Sequence, residues 1–126
     1  MSRSVLIVED EAIIAWHLQA MASRLGYVVC ATVATEDAAV AAAAEHRPDI
    51  VLMDVRLAAS GDGVRAAERI RREGRPPIVF CTAHADDQAF RARTASMEHS
   101  AVLGKPVRED LLKEAIDRLL GAPIAG

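Results

Sequence analysis

The stretch VLIVEDE, residues 5–11, carries four aliphatic residues straight into Glu9, Asp10 and Glu11. Four consecutive apolar positions, three of them β-branched, read as a short strand buried on both faces. The three carboxylates at its end repel one another, and an apolar core behind them raises the cost of ionisation. A single acid there would serve as a helix cap. Three require a positive partner, and its nature decides both the fold and the use of the site.

Working outward, runs of this kind alternate with segments of helical period five times along the chain. Strands are predicted at 4–8, 28–33, 50–54, 77–81 and 100–104. After the first, Ile14, Leu18, Met21 and Leu25 repeat at helical steps, and Gly26 follows as a C-terminal cap. Further helices are predicted over 35–45, stopping before Pro48, over 62–73, stopping at Gly74, and over 86–95, which has the weakest stripe. In the last helix Leu112, Ile116 and Leu119 face inward, with Gly121 after it. Consecutively apolar strands need helices on both sides. The expected fold class is therefore α/β: a doubly wound, five-stranded parallel sheet in the flavodoxin-like order 2-1-3-4-5, with five helices. The domain is expected to fill 1–121, leaving 122–126 as a short frayed tail.

The chain has 126 residues and is 52% hydrophobic, enough for one domain with a sizeable core. Its apolar runs, such as IVLM at 50–53, are far shorter than the roughly 20 residues of a spanning helix. The start leads directly into a strand with no secretory signal, so a cytoplasmic protein with no membrane attachment is expected. Cys30 and Cys81 lie in separate apolar runs and read as small buried thiols. Fifteen basic and 18 acidic residues give a net charge of −3, which offers no general attraction to nucleic acid. One local exception is RAAERIRREGR, 65–75, where Arg65, Arg69 and Arg72 share a helical face and Glu68 precedes Arg72 by four. That strip reads as a solvated face with a surface ion pair.

In a doubly wound sheet, ligands bind beyond the carboxyl ends of the strands. The first predicted strand ends at Glu9 and Asp10, the third at Asp54, the fourth at Thr82 and the fifth at Lys105 and Pro106. With the first and third strands adjacent, three carboxylates converge. A hard divalent cation answers that repulsion, since Mg²⁺ takes one or two carboxylates together with waters and phosphate oxygens. Carboxylates, a hydroxyl and an ammonium at one sheet edge form a set suited to a phosphoryl group.

In this order and on these elements, VEDE at 8–11, LMDVRL at 52–57, DG at 62–63, TA at 82–83 and KP at 105–106 resemble the receiver domain of two-component response regulators. The resemblance covers essentially the whole chain and is to the stand-alone, single-domain type. It implies that Asp54 is the phosphoacceptor, that Glu9, Asp10, Asp54 and the backbone carbonyl of Arg56 hold Mg²⁺, that Thr82 binds a phosphoryl oxygen and that Lys105 pairs with the phosphate. It also implies a cis peptide before Pro106. Its implied partners are a histidine kinase or histidine phosphotransferase and a downstream protein, with no nucleic acid, in a monomer or weak dimer. Such a chain is not an enzyme beyond its own phosphotransfer and autodephosphorylation. Three departures stand out. Glu9 replaces the usual Asp, the 55–62 segment is one residue longer and lacks a Met-Pro pair, and Val102 occupies the place of a switching aromatic. IVFCTAHAD, 78–86, bears a looser likeness to stand-alone receivers of alphaproteobacterial stress signalling.

Other readings are a receiver excised from a hybrid kinase or larger regulator, and a Mg²⁺-dependent phosphatase with an aspartate nucleophile. The phosphatase pattern wants Asp-x-Asp after the first strand, whereas Ala12 follows Asp10 by two. A flavodoxin-type phosphate cradle would be repelled by EDEAI, and a P-loop is missing. His84 stands near the mouth of the predicted site, while His17, His46 and His99 lack metal-ligand spacing and read as surface residues. Trp16 reads as a helix-flank residue half covered by its neighbours.

Overall fold

The structure, a computed structural model, describes residues 3–74 and 76–121; the expected tail at 122–126 lies outside them. In chain order the elements are β1 (Ser4–Val8), α1 (Ala12–Arg24), β2 (Val28–Val33), α2 (Glu36–His46), β3 (Ile50–Asp54), β4 (Arg56–Leu57), β5 (Gly61–Asp62), α3 (Gly63–Glu73), β6 (Ile78–Thr82), α4 (Gln88–Thr94), β7 (Ser100–Gly104) and α5 (Glu109–Leu120). The five long strands pair in parallel in the order β2-β1-β3-β6-β7. That is the expected 2-1-3-4-5 once the short β4-β5 pair is set aside.

Successive side chains of a strand point to opposite faces, and the two core layers follow from this. Leu6 and Val8 pack with Ala39, Val64, Ile70 and Phe90 under α2, α3 and α4. Val5 and Ile7 pack with Leu18, Met21, Leu112 and Ile116 under α1 and α5. The central strands β3 and β6 are buried at every residue, as their uninterrupted apolar runs require. β2 departs from that expectation because it is an edge strand, with Val28 and Thr32 exposed. Cys30 and Cys81 are free thiols on β2 and β6, which are not neighbours. Among the described residues no helix is long and apolar enough to cross a membrane.

Side-chain caps fix where the helices begin. Thr35 accepts from the Ala38 amide, Asp62 from Val64 and Arg65, and Asp87 from Phe90. The predicted helix at 86–95 therefore starts later, at Gln88, and the strand predicted at 77–81 is Ile78–Thr82, so Thr82 lies within it. Gly26, with φ of 93°, takes the left-handed position after α1.

The β4-β5 hairpin carries no local sequence signal, and its turn shows why. Ala59 and Ser60 both have φ of 59°, and the Gly61 amide donates to the Ala58 carbonyl at 3.1 Å. Two left-handed central residues define a type I′ turn, whose usual sequence signal is Asn-Gly. Here Ala and Ser hold that conformation at a cost of about 1–2 kcal/mol each.

The arginine strip also differs from its reading as a solvated face. Arg65 and Arg69 reach across to α2 and hold the buried carboxylate of Glu36, at 2.8 and 2.9 Å, and Arg69 bonds Asp37 as well. Glu36 Oε1 also accepts from the Asp62 amide at 3.1 Å, so one carboxylate ties α2 to the hairpin and to α3. Among the described residues, no ion pair joins Glu68 to Arg72. Hydrogen bonding from Arg65 leads the effects that hold the Glu36 carboxyl at about 2, against an ordinary 4.5. As pH falls, the unfolded chain takes up this proton first, so the stability contributed by Glu36 is whole above about 4.5 and is lost on the way down to about 2. Acid unfolding followed by circular dichroism should therefore be shallower across that window for Glu36→Gln than for the parent; parallel curves would contradict the assignment.

Candidate functional site

Strand pairing assembles the site. Val8 registers with Met53 across β1 and β3, so Glu9 and Asp54, each one residue further on, emerge side by side. Asp54 in turn registers with Cys81 on β6, and Thr82 follows, itself level with Gly104 on β7. Lys105 comes next and its amide donates to the Thr82 carbonyl at 2.9 Å. The Lys105–Pro106 peptide is cis, as expected.

One oxygen from each of Glu9, Asp10 and Asp54 lies within 4.8 Å of the others. Glu9 is 3% exposed and Asp54 7%, while Asp10 faces solvent. Lys105 Nζ stands 2.8 Å from Glu9 Oε1 and 3.1 Å from Asp54 Oδ1. Burial works against its charge, but the hydrogen bonds and charges of Glu9 and Asp54 outweigh that and hold its pKa above the ordinary lysine value. The positive partner demanded by EDE is thus supplied in part from the far end of the chain. It does not satisfy the whole cluster: Glu9 Oε1 has no well-formed hydrogen bond besides this ion pair, and Asp10 has no ion-pair partner among the described residues. Three hard oxygen donors with one buried and undersatisfied atom fit a small divalent cation.

Thr82 is buried, and its hydroxyl oxygen accepts from the His84 amide at 3.0 Å. His84 is otherwise an exposed loop residue, as are the helix or loop residues His17, His46 and His99. Arg56 opens the hairpin two residues past Asp54, its backbone paired with Asp62. Val102 lies on β7 level with Phe80 and is exposed. Cys81 borders the cluster, yet burial pushes its thiol up to about 12, so it stays protonated and is no nucleophile. Trp16 is 69% exposed and Ile13 77%, which corrects the half-covered reading of the tryptophan.

Sequence reasoning missed the contribution of Gly63. A Cβ at this position would overlap the Asp54 carbonyl oxygen, and the Gly63 amide donates to the Val55 carbonyl at 2.7 Å. The start of α3 is therefore pressed directly onto the backbone of Asp54, a role that DG at 62–63 does not announce without its long-range neighbour.

Comparison with known proteins gives the same arrangement a family. The profile of the response regulator receiver domain matches residues 5–117. The transcriptional regulatory protein PdtaR of Mycobacterium tuberculosis is 39% identical over 116 residues, covering 91% of this chain and 55% of PdtaR, so the chain spans about half of that relative. The solution structure of the receiver domain of Erythrobacter litoralis PhyR superposes with a TM-score of 0.84 at 30% identity, covering 99% of this chain and 97% of that one. The receiver domain of a Pseudomonas aeruginosa sensor histidine kinase, solved with a magnesium ion coordinated in its active-site cleft, gives a TM-score of 0.84 at 32% identity, covering 97% and 100%.

The Glu9–Lys105–Asp54 bridge predicts the behaviour of a neutral substitute. Lys105→Met removes the ammonium that bridges two buried carboxylates and should cost roughly 3 kcal/mol in urea unfolding at neutral pH. Added Mg²⁺ should return part of that loss. A variant as stable as the parent would show that Lys105 is not the counter-ion.

Proposed function

This chain belongs to the response regulator receiver domain family, and on that premise we propose that Asp54 accepts a phosphoryl group from a phosphohistidine of a histidine kinase or phosphotransferase. The observation that carries the reading is the position of Asp54: a carboxylate at a strand end, barely reachable from solvent, beside two further acids and bridged to Glu9 by Lys105. Among the other groups described at this edge, Glu9 is held to Lys105, Asp10 faces solvent, and the Cys81 thiol is held protonated by burial.

An Asp54 oxygen attacks phosphorus as the bond from phosphorus to the imidazole nitrogen breaks, and the imidazole keeps that electron pair and takes a proton from solvent. Glu9, Asp10, Asp54 and the Arg56 carbonyl are the groups that would hold Mg²⁺, whose bound charge screens the repulsion between carboxylate and phosphoryl oxygens. Lys105 leaves Asp54 Oδ1 and follows the new negative charge onto a phosphoryl oxygen. The Thr82 hydroxyl, which accepts from the His84 amide in the unmodified chain, donates a hydrogen bond to a second oxygen. Water attack at phosphorus reverses the modification and restores the carboxylate.

On this reading the chain acts by self-modification, without turnover of an outside substrate, in the cytoplasm where ATP-dependent kinases work. The altered Thr82 loop and α4 then carry the signal to a protein partner, or the chain serves as a phosphate sink. The net charge of −3 supports partners other than nucleic acid.

Incubation with acetyl phosphate and Mg²⁺ should add a single phosphoryl group, seen by intact mass. The product should be labile to hydroxylamine and should be missing when Mg²⁺ is chelated. Asp54→Asn should abolish it. Labelling of that variant at the parental rate would move the acceptor elsewhere, and turnover of donor without a labelled protein would favour a phosphatase.

A further inference from the structure

α4 is short, and few groups fasten it. Phe90 is buried with its ring edge-on to Phe80, centroids 5.7 Å apart, and the Thr94 hydroxyl bonds back to the Phe90 carbonyl within the helix. Arg93 supplies the polar tie: its Nη1 lies 2.8 Å from Asp62 Oδ2, the two side chains being 45% and 27% exposed. No other ion pair involves α4 among the described residues.

Asp62 is an unusual place for that tie to end. Its other oxygen caps α3 through the Val64 and Arg65 amides, and its own amide donates to buried Glu36. The next residue is Gly63, which presses on the Asp54 carbonyl and bonds the Val55 carbonyl. A shift of the Asp54 backbone is therefore passed to Asp62 with no soft side chain in between. The intervening hairpin turns through Ala59 and Ser60, both in the left-handed region that disfavours them, so an alternative path for this segment is not strongly opposed. On β7 the exposed Val102 has no ring that could follow the Thr82 hydroxyl.

We propose that the Arg93–Asp62 ion pair is a latch that holds α4 against the β4-β5 hairpin while Asp54 is unmodified, and that modification of Asp54 loosens it through Gly63. The inference rests on Asp54 being the acceptor for its second half only; the latch itself is a property of the unmodified chain. α4 thereby receives the state of the site from two sides, at its N-terminus through the loop after Thr82 and at its C-terminal turn through Asp62.

Amide hydrogen exchange of the intact chain tests both halves. Without phosphodonor, Arg93→Ala and Asp62→Asn, the latter keeping a capping oxygen, should speed exchange in 88–94 by about two- to fivefold, the range of a part-exposed ion pair. Exchange in β3 and β6 should not change. Arg91→Ala, an equal loss of charge on the same helix, should have no effect. One molar NaCl, which shortens screening to about 3 Å, should loosen α4 in the parent and not in Arg93→Ala. An Arg93→Ala variant that exchanges like Arg91→Ala overturns the latch. Beryllofluoride with Mg²⁺, a phosphoryl mimic, should then loosen α4 more in the parent than in Arg93→Ala. An equal response in both reduces the pair to a static bridge and overturns the coupling. A parent chain that takes up no beryllofluoride counts against Asp54 as acceptor, and the salt comparison still decides the latch.

Discussion

Like charge crowded at the end of a buried strand is the constraint from which the rest of this molecule follows. Glu9, Asp10 and Asp54 are brought together because β1 and β3 are neighbours in a parallel sheet, and backbone pairing leaves them no means of separating. Their repulsion is met by Lys105, delivered from the end of β7 at the far edge of the sheet. The cluster can form only if β3 and β6 are seated between those elements, so the site depends on the completed sheet order. A buried ion pair of this kind gives little net stability against an apolar replacement, and its presence is an argument for function.

The parts of this arrangement that could be read from sequence are those written in short-range pattern. Uninterrupted apolar runs mark β1, β3 and β6, and the carboxylates and hydroxyl at their ends are the groups that strand register brings to one sheet edge. The caps at Thr35, Asp62 and Asp87 are local too, yet they decide helix starts only to within a residue or two, as the later start at Gln88 shows. What escaped were partnerships across long separations. Arg65 and Arg69 sit on the exposed side of α3 by helical period, and only the packing of α2 against α3 brings Glu36, 29 and 33 residues earlier, within reach. The hairpin escaped for a different reason. Its turn type needs φ above zero at two positions, and neither Ala59 nor Ser60 advertises that.

Glu36 and Lys105 use opposite strategies for burying charge. The carboxylate of Glu36 is encircled by donors: two guanidinium groups and a backbone amide. It is therefore held ionised, and its surroundings are rigid. Glu9 is just as buried but receives one ammonium and, on its other oxygen, the Glu11 amide at 3.2 Å. The first arrangement is a structural tie and the second is an incomplete one. A site that must bind and release a ligand has to be of the second kind, because a carboxylate with every lone pair satisfied has nothing left to offer a cation.

Charge accounting then explains how little room the cluster has. Three carboxylates and one ammonium leave two negative charges, which a single divalent cation cancels. On the proposed reading, converting Asp54 to an acyl phosphate exchanges one negative charge for nearly two. The excess must be taken up by groups already present, and among the described residues two at the site have capacity: Lys105, which can exchange Asp54 Oδ1 for a phosphoryl oxygen while keeping Glu9, and the Thr82 hydroxyl. Glu9 matters here through its length. Its extra methylene lets it keep hold of the ammonium at 2.8 Å, so the lysine stays at the site's edge whichever oxygen it serves. The displaced contact is then the one to Asp54, whose backbone carries Gly63 and, through it, Asp62. Adding charge at the nucleophile thus loosens the segment best placed to transmit it, and the group that gives way is the aspartate itself.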